Sequence, residues 1–153
     1  MRAPTFICAV LFLMAGLSQM GRADDLKVVL LDSKDGRPMH GKLVCIFYRT
    51  GNPKSPIADD QARECHRTDS TGTAEFAMPD PAPEKVKVEL STNNLVPCFA
   101  SQQFAIADAM KEGMVAKNTC GGDTTDTTET GELVVYGHQK SVKEIMESSR
   151  NEF

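Results

Sequence analysis

The chain has 153 residues, 41% hydrophobic and 25% charged, with 17 Lys and Arg against 21 Asp and Glu for a formal net charge of −4. That length allows one domain with a buried core. An acidic chain with no run of basic residues argues against nucleic acid or anionic lipid as partner.

Met1-Arg2 places a positive charge ahead of Phe6 to Leu17, an uninterrupted apolar run too short to span a bilayer. Small residues at Gly21 and Ala23 then suit the two narrow pockets of signal peptidase. Residues 1–23 are therefore expected to be a secretory signal peptide cut between Ala23 and Asp24, and residues 24–153 a single secreted domain. Leu17, where a lipoprotein would need cysteine, argues against lipidation. Arg2 and Arg22 leave with the signal and no acidic residue does, so the mature chain is more acidic than the whole. No other apolar stretch approaches spanning length, so the mature form is expected to have no membrane span.

Four cysteines remain after the cut, Cys45, Cys65, Cys98 and Cys120, an even number that reads as two disulfides in an oxidising compartment, periplasmic or extracellular. Zinc is the competing use, but the C-x-x-C and H-x-x-x-H spacings are missing, and His66 beside Cys65 would point away from it on a strand.

Leu26 to Leu31 is a β-branched, apolar strand, and Asp35-Gly36-Arg37-Pro38 supplies turn chemistry after it. Lys42 to Tyr48 is apolar on both alternating faces, Leu43/Cys45/Phe47 and Val44/Ile46/Tyr48, which predicts a central strand covered on both sides. Arg49 to Ala62 carries Gly51, Pro53 and Pro56 and predicts a long surface loop. Glu64 to Thr68 and Thr73 to Met78 flank Asp69-Ser70-Thr71-Gly72 and predict a hairpin. Pro79 to Pro83 excludes regular structure. Val86, Val88 and Leu90 alternate with Lys85, Lys87 and Glu89 as a strand with one wet face.

Between Cys98 and Cys120, Phe104 and Ile106 suit a short strand, and Ala107 to Glu112 a helical turn stopped by Gly113. Residues 121–131, an acidic Thr-rich segment without an apolar side chain, predict a mobile loop. Glu132 to Tyr136 is a last strand. Ser141 and Glu144 form a capping box, which starts a terminal helix over 141–150 whose narrow stripe of Val142, Ile145, Met146 and Ser149 is expected to pack on the core, with docking to a partner as the alternative.

These elements predict a mainly all-β protein, a small antiparallel sandwich of Ig-like kind with a short C-terminal helix. The segment from Leu26 to Leu90, with Asp35-Gly36-Arg37-Pro38, Asp69 to Gly72 and Thr73 to Phe76, resembles the transthyretin-like and carboxypeptidase-regulatory-like domains of bacterial secreted proteins. The resemblance implies that fold and says less about activity.

The transthyretin-like fold also hosts hydroxyisourate hydrolase, but its C-terminal Tyr-Arg-Gly-Ser is missing where this chain ends Ser149-Arg150-Asn151-Glu152-Phe153. Intradiol dioxygenases need two tyrosines and two histidines on iron. Tyr48 and Tyr136 with His40, His66 and His138 meet that count without its pattern and are expected to be scattered. Asp123, Asp126, Glu129 and Glu132 recur every third residue, yet without the order of an EF-hand they are expected to be a solvated acidic loop. No nucleophile elbow is present, and oxidised cysteines are not thiolates. The expectation is therefore a non-catalytic secreted module without catalytic residues, metal or cofactor, presenting loops to a protein, peptide or glycan; the alternative is a small secreted enzyme of hydrolase type.

For the disulfides, four cysteines allow three connectivities. Local closure favours Cys45 with Cys65, in neighbouring strands, and Cys98 with Cys120, bracketing the least regular segment.

Overall fold

The computed structural model describes residues 25–49, 61–91, 94–122 and 127–150. The expected signal peptide with its Ala23/Asp24 cut, most of the loop after Arg49, and the acidic Asp123 and Asp126 lie outside the described residues.

Two sheets face each other across one core. The first strand, β1 (Asp25–Asp32), buries Leu26, Val28 and Leu30 completely, and β2 (Leu43–Arg49) buries Val44 and Ile46 against them from the other sheet. The period of two in both strands is what puts these residues on one face. β3 (Gln61–Arg67), β2, β5 (Lys85–Leu90) and β7 (Gln103–Ala105) form a four-stranded antiparallel sheet in that order. β4 (Thr73–Ala77), β1 and β9 (Glu132–Gln139) form the other, and along the far edge of β9 lie β6 (Leu95–Pro97) and β8 (Met114–Val115). The short helix α1 (Ile106–Glu112) buries Ile106 and Ala109 and stops at Gly113, whose φ is 76°.

Three expectations need correction. The sandwich is not purely antiparallel: β1 pairs with β9 in parallel, Lys27 opposite Glu132 through Asp32 opposite Gly137, and β8 is also parallel to β9. Parallel neighbours need a long crossover, and everything from β2 to β8, including the whole four-stranded sheet, lies within it here. The hairpin across Asp69 to Gly72 does not form either. The turn closes, with Asp69 N–H donating to the Thr73 carbonyl at 2.9 Å, but β3 pairs with β2 and β4 with β1, so the chain changes sheets at this corner. Turn residues specify a reversal of direction and leave the pairing of the emerging strand to the apolar partners it meets, here Phe76 opposite Leu26.

The third correction concerns α2 (Val142–Arg150). Its start follows the sequence: Ser141 Oγ accepts the Glu144 N–H at 3.3 Å, and the Glu144 carboxylate accepts the Ser141 N–H at 2.6 Å. Its stripe does not pack on the core, because Val142 is 69% and Met146 60% exposed.

The acidic segment makes backbone contacts at both of its described ends. Gly131 donates its N–H to the Ala109 carbonyl, and Thr128 and Glu129 press on Gly113. Asn118 Nδ2 donates to the Ser33 carbonyl at 2.8 Å, and Gly122 lies so close to that carbonyl that a Cβ there would sit 2.0 Å from its oxygen. Residues 116–122 thus run from the β9 edge to the end of β1. A second small core of Cys98, Val134 and Tyr136, with Val29, Leu31 and Val115 against it, fills the outer side of this sheet.

Candidate functional site

Among the described residues no element covers the outward face of the β3-β2-β5-β7 sheet, so β2 is covered there on one side and not on both as its sequence predicts. In β2 the side chains of Val44, Ile46 and Tyr48 go to the core, so Leu43, Cys45, Phe47 and Arg49 go outward. Register carries the same face across the sheet: Arg67 lies opposite Leu43, Cys65 opposite Cys45, and Arg63 opposite Phe47 on one side, with Glu89 and Lys87 opposite Cys45 and Phe47 on the other. Lys85 continues the row on β5, and Gln103 and Ala105 complete it on β7. Five cations, Arg49, Arg63, Arg67, Lys85 and Lys87, share strand positions on this face with one carboxylate, Glu89.

The centre of the face is rigid. The Cys45–Cys65 disulfide joins directly opposed residues of β2 and β3, with Cα atoms 4.0 Å apart. Phe47 beside it carries a cation over its ring from each side, the Arg63 guanidinium at 5.4 Å and the Lys87 ammonium at 5.8 Å. Ring quadrupoles attract such cations, so the half-buried Phe47 helps to hold the two charges in place. Lys87 also pairs with Glu89, and Arg67 donates to the Gly41 carbonyl at 2.9 Å, which fixes it at the rim. At the lower end of the face a cleft of about 880 Å³ opens between Phe47, Arg49, Lys85 and Lys87 and the Pro79–Glu84 segment, where Asp80 and Glu84 add opposite charge.

The other candidate residues do not converge. Tyr48 borders the main core, whereas Tyr136 is buried in the second core on the far sheet. His66 lies on β3 with its ring 4.9 Å from Phe76 and its Nε2 2.7 Å from Glu64. His138 lies on β9 and contacts Glu144 at 3.0 Å, and His40 is exposed in a turn. Glu129 and Glu132 share a local turn in which the Glu132 carboxylate accepts the Glu129 N–H. Among the described residues no three His, Cys, Asp or Glu side chains gather as metal ligands. The second disulfide, Cys98–Cys120, staples the chain over β9 and leaves no thiol on the described surface.

The basic face was missed in the sequence because its charges come from separate segments, at 49, 63–67 and 85–87. Alternation within Arg63-Glu64-Cys65-His66-Arg67 and Lys85 to Glu89 was legible, but adjacency of the two strands was not. Basic residues form no cluster along the chain but gather in one across the folded surface. No helix of the described residues is long and apolar enough to cross a membrane, and the two disulfides indicate an oxidising compartment. Comparison of the chain with protein-family models, curated proteins and solved structures finds no match to any of them.

Proposed function

We propose that this chain is a non-catalytic binding module exported from the cytoplasm, and that the outward face of the four-stranded sheet is its binding surface. The observation that carries this reading is the gathering of five cations around a disulfide and a single aromatic ring, in a chain whose formal charge is −4. Such a face concentrates positive potential, and its rigidity lowers the ordering cost of binding. The Leu26 to Leu90 resemblance to transthyretin-like and carboxypeptidase-regulatory-like domains is carried by turn and core residues and bears on the fold of the module, not on its ligand.

Cation exchange at neutral pH and low salt tests the reading. The mature protein is expected to be retained despite its negative net charge, and an Arg63→Glu/Lys85→Glu/Lys87→Glu variant to flow through. Flow-through of the unaltered protein removes the basic face as a binding surface.

A further inference from the structure

Among the described residues the β3 edge of this sheet is unpaired as well as charged. Thr68 exchanges both backbone bonds with the β2 side, its N–H donating to the Lys42 carbonyl at 2.8 Å and its carbonyl accepting from Gly41 at 2.9 Å. Backbone groups alternate sides along a strand, so those of His66, Glu64 and Ala62 also face β2, and those of Arg63, Cys65 and Arg67 face away from it. Among the described residues no strand pairs with that outer edge. The residues whose N–H and C=O are offered there are the ones whose side chains lie on the basic face.

Resting on the reading of that face as the binding surface, we infer that β3 accepts an extended acidic peptide as an added antiparallel strand, with carboxylates beside Arg63 and Arg67 and backbone bonds to residues 63, 65 and 67. Two features select this partner. A second copy of β3 would set arginine beside arginine, which like-charge repulsion disfavours, so the same row that protects the edge from self-pairing favours an acidic strand. A sulfated glycan would satisfy the charges but not the unpaired backbone edge. Arg63 is already laid over Phe47, so little side-chain freedom is lost when it is paired.

The test uses the mature, oxidised protein and a short labelled peptide of alternating Thr and Glu, read by fluorescence anisotropy. In an antiparallel addition the Glu residues opposite Arg63 and Arg67 direct their own N–H groups at β3. N-methylation of the Glu amides is therefore expected to weaken binding at least about tenfold. Methylation of the Thr amides, which keeps the same charge, leaves binding within about twofold of the parent by the same bookkeeping of bonds. Arg63→Glu/Arg67→Glu abolishes binding, whereas Arg63→Lys/Arg67→Lys, with an unchanged melting temperature as control for folding, retains it. Equal binding by the parent and both methylated peptides overturns strand addition. A sulfated oligosaccharide bound through Arg63 and Arg67 with no peptide binding overturns the acidic peptide while the binding face stands. Failure of both ligands removes the face itself.

Discussion

At the scale of single residues, the corner between the sheets shows how sequence chemistry is realised. Asp69 Oδ1 accepts the N–H groups of Thr71 and Thr73 at 2.8 and 3.0 Å and the Thr71 hydroxyl at 2.7 Å. The Thr71 hydroxyl above all, then the Thr73 N–H, holds the Asp69 carboxyl below its usual range. Gly72 completes the turn at φ 77°, with its Cα so near the Leu30 carbonyl that an added Cβ would meet that oxygen at 2.7 Å. Gly72→Ala is expected to cost about 2 kcal/mol, from backbone strain and a clash with main chain that cannot swing away. Urea unfolding measures it. The Glu144 carboxyl is lowered from 4.5 to about 2, first by the Ser141 N–H, then by the Ser141 hydroxyl and His138. A depressed carboxyl stabilises the fold above its unfolded value and loses that contribution as pH falls through the folded one. Amide protection in α2 is thus expected to decline as pH drops from 4.5 towards 2, and in Glu144→Ala to be low throughout. Hydrogen exchange across that range checks both proteins.

Elements differ in how far they depend on their neighbours. α2 is held through its capping box and the His138–Glu144 contact, while Val142 and Met146 remain exposed. Truncation after Lys140 is expected to shift the melting temperature by less than about 4 °C, because little apolar area is buried by the helix. β2 and β3 are a different case. Their disulfide closes a separation of 20 residues, for which the loss of unfolded-chain freedom is worth about 3 kcal/mol. Cys45→Ala/Cys65→Ala is expected to lower unfolding free energy by about that amount, and denaturant titration with and without the bridge reads it. The acidic segment, expected to be loose because it has no apolar residue, is tied at its described ends through Gly122, Thr128, Glu129 and Gly131. Close backbone approach by glycine leaves no hydrophobic pattern to read.

For the molecule as a whole, the parallel β1–β9 pair is the seam where the first and last strands meet. Leu26, Val28, Leu30, Leu133 and Val135 are all fully buried, and Val29, Leu31, Val134 and Tyr136 build the second core behind them. Leu133→Ala is expected to cost about 3 kcal/mol or more, as for other buried large-to-small changes, whereas Leu43→Ala on the half-buried outer face of β2 costs about 1 kcal/mol. Comparison of the two variants by chemical denaturation separates the buried inner face of the β1–β9 pair from the half-buried outer face of β2. Most strand segments were legible because each alternates over its own length. β6 and β8 were not, because Leu95–Pro97 and Met114–Val115 are too short to show a period and exist by pairing with β9.

The sequence by itself determined what is local: the strands from Asp25, Leu43, Thr73, Lys85 and Glu132, the turn at Asp69 to Gly72, the stop at Gly113 and the cap at Ser141. Hydrophobic period, turn chemistry and capping act over a few residues, so they can be read from a few residues. Tertiary structure alone decided which sheet β4 joins, that β1 and β9 run parallel, that α2 stays exposed, and that Arg49, Arg63, Arg67, Lys85 and Lys87 share one face. These depend on which apolar faces meet across long stretches of chain, and period carries the face of a residue but not the identity of the strand beside it.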